Sequence, residues 1–416
     1  MKNILFFLAA TFSGLICFSC TKVIENVNPT PIPLTATEKR MAAEQNTFAC
    51  NLFDALYQTK DYAGNVLVSP FSLQCALGML QNGAEGETWE EIVQALQLGG
   101  YTPTEINDYF NKLVAGMSKI QPGITFRTAN SIWSNQDIQM KKDFVHVNQS
   151  KYLAKVSSLD FSDISSLKKI NDWCKKESEG MIAKAIDENQ WTSSALMYLL
   201  NIVYFKAGWE TKFQAKNTAE SSFYAKDGTM KIPFMTNKLK GHGFFQNELF
   251  ALSSLPYLNH AFSMRFILPN EDTPMGSVVE ALAQKGYLES CLQKIERCNV
   301  VFKIPRFEIQ MEHLDLEKSL HILNVKKIFS SEADFDKLAD IKSYVSQIFQ
   351  ACRLKVDEEG SEGSAVTTII SDPTDIISPE NPKEVTFCAN RPFLFQIIEN
   401  RTGAVLFMGK VESPEQ

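Results

Sequence analysis

The spacing of apolar residues divides the chain into a helical first third and a strand-rich remainder. Residues 38–58 repeat apolar side chains at helical period, placing Met41, Phe48, Leu52 and Leu56 on one face. Ser69-Pro70 supplies a cap and a first-turn proline for a helix that runs to Gln81, where Asn82-Gly83 stops it. The stretches beginning at Thr88 and Thr102 each carry an acid three residues on, a capping-box pattern that predicts helices near 89–96 and 103–119. Further on, the pattern predicts a strand over 124–133, a helix over 142–152, a strand over 156–161 and a helix over 166–179. Residues 196–205 are nearly all apolar, with Asn201 the single amide, which predicts a strand buried on both faces within a large sheet. Strands follow at 244–252, 261–268, 299–305, 307–311 and 404–411, with helices at 277–292 and 315–323. No fixed-period repeat and no linker divides this span, so it reads as one composite α+β domain over residues 38–412.

One stretch departs from these patterns. From Asp357 to Ile370 the chain opens with three acids and a glycine, continues through small uncharged residues and ends β-branched. Counting by twos from Ser361, one face carries Ser361, Gly363, Ala365, Thr367 and Ile369, none charged, while Glu362 falls on the other. Leu354 and Val356 alternate with polar residues before it, and residues 393–398 form a dense strand signal after it. The stretch is a loop with the side-chain pattern of a strand.

Composition narrows the function classes. The 416 residues are 44% hydrophobic, an ordinary globular share, and 48 Asp plus Glu against 41 Lys plus Arg leave a mildly acidic chain without a basic run. Nucleic-acid binding therefore has no electrostatic footprint. Residues 1–19 have the layout of a signal peptide, with Lys2 ahead of an apolar run. The run closes on Ile16-Cys17-Phe18-Ser19-Cys20, which resembles a relaxed bacterial lipoprotein box in which Cys20 would be lipidated. Residues 20–37, with Pro29, Pro31 and Pro33, then read as a tether, and the expected location is a cell-envelope lipoprotein at the outer membrane or cell surface. Ordinary cleavage and secretion is the alternative. The seven remaining cysteines are scattered without metal-like spacing and are expected as buried thiols. Neither a metal nor a cofactor is indicated. There is no G-x-S-x-G or H-E-x-x-H, and the five histidines form no constellation, so the chain is not read as an enzyme.

Six separated segments carry a resemblance to a known family: residues 65–73 (NVLVSPFSL), 201–209 (NIVYFKAGW) with Phe213, 304–307 (IPRF), 358–361 (EEGS), 391–395 (RPFLF) and 405–410 (VLFMGK). In order and spacing they resemble the serpin family of protease inhibitors. The resemblance implies three β-sheets, about nine helices, a metastable native state and an exposed reactive-centre loop, here about 358–386. A target serine protease, or a cysteine protease, would attack that loop. After acylation the cut loop would enter the largest sheet as a new strand, trapping a covalent complex with the monomeric inhibitor. Such insertion is a recognised instance of strand addition and of release of stored strain. About fifteen inserted residues at about 3.3 Å each would carry the protease roughly 50 Å.

The resemblance also assigns site residues. Glu358, Glu359, Gly360, Ser361, Glu362, Gly363, Ser364, Ala365, Val366, Thr367 and Thr368 form the hinge. Glu358 would pair with Arg306 at the loop root, and Trp209 would stand at the gate where the loop enters. Ser69, Ser72, Asn201 and Gln350 match the polar cluster where the sheet opens, Gln350 standing where the family usually has histidine. The family's distance from Gly360 puts the scissile bond at Thr374-Asp375. Between Gly360 and Lys383 there is no Arg or Lys, which disfavours a trypsin-like target; Thr374, Ile376, Ile377 and Ile369-Ile370 suit an elastase-like or subtilisin-like pocket, and Asp372 and Asp375 leave an acid-specific protease open. The rival reading is a non-inhibitory member acting as carrier, storage protein or chaperone.

Overall fold

A computed structural model describes residues 32–120, 123–361 and 382–414. Among them the chain forms nine α-helices and fifteen strands. The first half comprises α1 (Ala36–Thr59), β1 (Val66–Val68), α2 (Pro70–Leu80), α3 (Gly86–Ala95), α4 (Pro103–Met117), β2 (Ile124–Asn135), α5 (Lys142–Tyr152), β3 (Lys155–Leu159), α6 (Ser165–Glu177) and β4 (Met197–Gly208). Next come β5 (Thr218–Ala225), β6 (Gly228–Gln246), β7 (Phe250–Pro256), β8 (Phe262–Pro269), α7 (Met275–Ala283) and α8 (Tyr287–Leu292). The remainder is β9 (Glu296–Pro305), β10 (Phe307–Asp315), α9 (Glu317–Ile322), β11 (Phe349–Val356), β12 (Gly360–Ser361), β13 (Glu384–Cys388), β14 (Phe393–Glu399) and β15 (Val405–Val411).

The strands form two hydrogen-bonded ladders. One is six-stranded, in the order β10-β11-β12-β4-β2-β3; the other runs β1-β15-β14-β8-β7-β6-β9-β13, with β5 paired to β6. The three expected sheets are thus the six-stranded sheet and two halves of the longer path. The 19-residue β6 is shared by those halves, pairing β5 and β9 along most of its length and β7 at its last three residues. The main core, with Phe48, Phe53, Phe71, Phe250 and Phe266, is built on α1, α2 and the long ladder. A second cluster, including Trp133, Leu167, Ile170, Tyr198 and Leu200, lies between α6 and the six-stranded sheet.

Local chemistry explains the helix ends. Thr35 caps α1 in a full capping box with Glu38, and Thr102 does the same for α4 with Glu105. Ser69 caps α2, its hydroxyl accepting from the Ser72 N–H at 3.2 Å. Thr88, expected as a cap, is instead inside the first turn of α3, where its hydroxyl accepts from the Asp334 N–H at 2.9 Å. A tertiary partner claims the oxygen that the local pattern assigned to a cap.

Three other expectations are corrected. The strand expected at 244–252 is the end of β6 and the start of β7, because Asn247 turns the chain by accepting from the N–H groups of Leu249 and Phe250 at 2.9 Å each. The helix expected at 277–292 divides into α7 and α8 at Gly286, which has φ +77°. Finally, β4 is not buried on both faces: Tyr198, Leu200 and Ile202 are buried beneath α6, whereas Met197, Leu199, Asn201 and Val203 are half-buried. The β5–β6 hairpin, polar along much of its length, had no apolar alternation to announce it.

Candidate functional site

The root of the loop is built where β11 turns back on itself. After Val356 the chain makes a three-residue turn, with the Asp357 N–H donating to the Gly360 carbonyl at 3.0 Å, and re-enters the sheet as β12. Ser361 pairs with Val356 of β11 on one side and with Ala207 of β4 on the other. Only glycine fits at Gly360. Its φ is +155°, and a Cβ there would stand 2.0 Å from the Ala207 carbonyl oxygen.

An ion pair fixes the turn. Arg306 Nε donates to Glu358 Oε1 and Oε2 at 3.0 and 2.8 Å, and the Thr218 hydroxyl donates to Oε1 at 2.6 Å. Glu358 is buried. Burial pushes its carboxyl up, but the hydrogen bonds from Arg306 and Thr218 outweigh that and hold it below the ordinary 4.5. The hydrogen bond to Glu358 in turn holds the Arg306 guanidinium above its usual value. Next to this pair, Lys212 Nζ meets Glu359 Oε2 at 2.5 Å. Trp209 closes the corner: its indole N–H donates to the Asp357 carbonyl at 2.9 Å and its backbone N–H to the Glu359 carbonyl at 2.9 Å.

Behind Trp209 stands Tyr257, stacked on the indole with ring centroids 4.6 Å apart and planes 9° apart. The Tyr257 hydroxyl lies 2.6 Å from the Ser361 hydroxyl, and both residues have no exposed surface. Burial pushes the Tyr257 phenol up, so it remains a neutral partner for the hinge serine.

Along the sheet from β12, no ladder among the described residues joins β4 to β11. Small cavities flank this seam on both faces. The one toward α2 is lined by Ser72, Leu199, Asn201, Ile348 and Gln350, and the one toward α6 by Ile182, Leu200, Asn201 and Ala351. Gln350 clamps β11 to the cap of α2, accepting from the Ser69 N–H at 2.6 Å and donating to the Ser69 carbonyl at 3.0 Å. The Cys352 thiol, pushed up to about 12 by burial, lies 3.2 Å from Gln350 Oε1. The Ser69 hydroxyl donates to the Leu406 carbonyl at 2.6 Å, and the Ser72 hydroxyl reaches the Asn201 carbonyl at 3.4 Å. The Asn201 side chain turns the other way, donating to Asn130 on β2, and its own oxygen has no partner among the described residues.

The structure therefore brings Ser69, Ser72, Asn201 and Gln350 around one seam without a side-chain bond between Asn201 and Gln350. It brings Glu358, Arg306, Trp209, Glu359, Gly360 and Ser361 together at the root. Residues 362–368 of the hinge, Thr374, Asp375 and Cys20 lie outside the described residues. Sequence reasoning missed Thr218, Lys212 and Tyr257. Each reaches the hinge from more than a hundred residues away, and none stands in a distinctive local pattern.

This arrangement, a strand-like hinge started between two strands that do not pair with each other, agrees with what the chain is similar to. The family model described as "Serpin (serine protease inhibitor)" matches residues 43–414, and the chain belongs to the serpin family. Serpin B8 of Homo sapiens is 30% identical over 376 residues, covering 88% of this chain and 98% of that protein. The leukocyte elastase inhibitor of Bos taurus is 28% identical over 386 residues, covering 90% of this chain and 100% of that protein. Among solved structures, native Tengpin, a thermophilic serpin, superposes with TM-score 0.80 at 28% identity, covering 94% of this chain and 98% of that one. Thyroxine-binding globulin in complex with thyroxine superposes with TM-score 0.78 at 26% identity, covering 90% of this chain and 99% of that one.

Proposed function

We propose that this protein is a suicide-substrate inhibitor of serine proteases, with cysteine proteases as further targets, and that its cleaved loop inserts between β4 and β11. The observation that carries the reading is β12: Gly360 and Ser361 already occupy the first two positions of a strand between β4 and β11. Below them the seam has cavities on both faces and a neutral amide clamp rather than a ladder. An incoming strand would gain ladder bonds at about 1 kcal/mol each and newly buried apolar area, on the order of 15 kcal/mol in total. That is enough to distort an acylated protease and stall deacylation.

The absence of Arg and Lys between Gly360 and Lys383 favours an elastase-like or subtilisin-like target, with Thr374-Asp375 as the bond. Similarity to a leukocyte elastase inhibitor supports the same choice. The inhibitor acts as a monomer forming a covalent complex, exported and held at the cell envelope through a lipid on Cys20. The likeness to thyroxine-binding globulin favours a second reading, a non-inhibitory carrier.

Mixing the protein with elastase, subtilisin, a glutamyl endopeptidase and trypsin separates the two. A denaturant-resistant band at the summed mass with elastase or subtilisin, with a released peptide starting between Ser371 and Ser378, is the expected result. Clean loop cleavage by every protease with no such band overturns the inhibitor reading.

A further inference from the structure

Both ends of the loop are fastened beside one strand. At the root, Arg306, the residue that follows β9, holds Glu358. At the return, the Asn299 N–H of β9 donates to the Lys383 carbonyl at 2.8 Å, just before β13 begins. The part of β9 between these two fastenings is about 23 Å long. Its side chains alternate: Val300, Phe302 and Ile304 are buried, with Phe302 stacked on Phe387 at 4.9 Å between centroids, whereas Val301 and Lys303 are half-buried on the opposite face. The neighbouring strands continue that opposite face. Lys238 of β6 and Thr386 of β13 flank Val301, and Thr236 and Cys388 flank Lys303. Lys238 and Thr386 are exposed.

The charge of this face is opposite to that of the chain as a whole, which is −7. Nearer the root, Lys212 and Arg306 are neutralised by Glu359 and Glu358, but Lys238 and Lys303 form no ion pair among the described residues. The carboxylate of the face, Glu384, stands opposite Asn299, two rows and about 13 Å from Lys303. Arg391 adds to the positive side. Burial holds the Cys388 thiol above its ordinary value, while the charges of Lys303 and Arg391 both pull it down. The loop has the other sign: residues 361–382 carry Glu362, Asp372, Asp375 and Glu380 and no Lys or Arg.

We propose that the Lys238–Lys303 face is a docking surface for an acidic patch on the target protease, beside its active-site cleft. This rests on the inhibitor reading above. A protease engaged on a bond between the two fastenings comes over the strand that joins them, so the face is continuous with the surface the protease already uses. The partner that fits has a cleft tolerant of an acidic loop and a rim rich in carboxylates. Charges at such a rim set the rate of association and its salt dependence more than the strength of the final complex.

The test uses full-chain wild type, K238E/K303E and, as a control with the same change of net charge, K175E/K176E on exposed positions of α6. Each reacts with subtilisin and with the same subtilisin succinylated on its lysines, which turns surface cations into carboxylates. The readout is the second-order rate of attack on the loop, trapped and cleaved products counted together, at about 20 mM and about 500 mM salt. At low salt we expect K238E/K303E to react about tenfold more slowly than wild type with the succinylated enzyme, and within about twofold of it at high salt or with the unmodified enzyme. K175E/K176E is expected to match wild type throughout. Equal rates for wild type and K238E/K303E with the succinylated enzyme overturn the proposal, as does equal slowing by K175E/K176E, which would reflect net charge alone. Faster attack on K238E/K303E by the unmodified enzyme also overturns it, because the lysines would then hold this chain's own acidic loop. If every loop is cleaved and none trapped, the inhibitor reading fails, and the docking surface stands or falls on the cleavage rates.

Discussion

Glu358 is the residue through which charge controls the loop root. Four donor contacts from Arg306 and Thr218 converge on a buried carboxylate, so removing its charge takes away the group that Arg306 pairs with at the turn. Its folded pKa is below 4.5, which makes the contribution of the pair fully present above pH 4.5 and lost as the pH falls through the lower folded value. The Trp209 indole, bonded to the neighbouring Asp357 carbonyl, reports on this. Indole emission, taken as the difference between wild type and W209F, is expected to stay constant from pH 7 to 5 and to change only below 4.5. E358Q is expected to have the acid spectrum at every pH. A midpoint near pH 6 in the wild type contradicts this assignment.

At the scale of elements, the seam is held by contacts between β11 and α2 rather than across β4 and β11. Gln350 bonds the Ser69 backbone through both its amide oxygen and its amide nitrogen, so Q350A leaves the buried Ser69 N–H without a partner and its carbonyl with only the 3.3 Å bond from the Leu73 N–H. The expected cost is about 1–3 kcal/mol, a fall of roughly 2–5 °C in the melting temperature of the intact form. An unchanged melting temperature contradicts the clamp. How much of this the sequence disclosed varies with range. The helices carrying Ser69, Thr102 and Met41 were legible because caps and period act within a few residues. The uncharged register from Ser361 was legible for the same reason. The partners of the hinge were not: Thr218, Lys212 and Tyr257 lie on segments whose position beside residues 357–361 is set by the packing of whole strands. Likewise, the half-burial of Leu199 and Asn201 follows from a strand missing beside β4, which no pattern within β4 itself expresses.

For the whole molecule, the features at both smaller scales describe a sheet one strand short. The hinge occupies the first two positions at one end, a glycine allows the close approach, and an ion pair and a stacked indole hold the turn. Aromatic clusters on α1, α2 and the long ladder fill the main core, and on the proposed insertion reading the seam is the place where the fold gains energy. The central claim is that it gains that energy when the loop is cut. The most direct test is to cleave the loop with elastase, keep the two fragments together, and compare the melting temperature with that of intact protein. An inserted strand worth on the order of 15 kcal/mol predicts a rise on the order of 20 °C. A cleaved protein that melts at or below the temperature of the intact one contradicts the account.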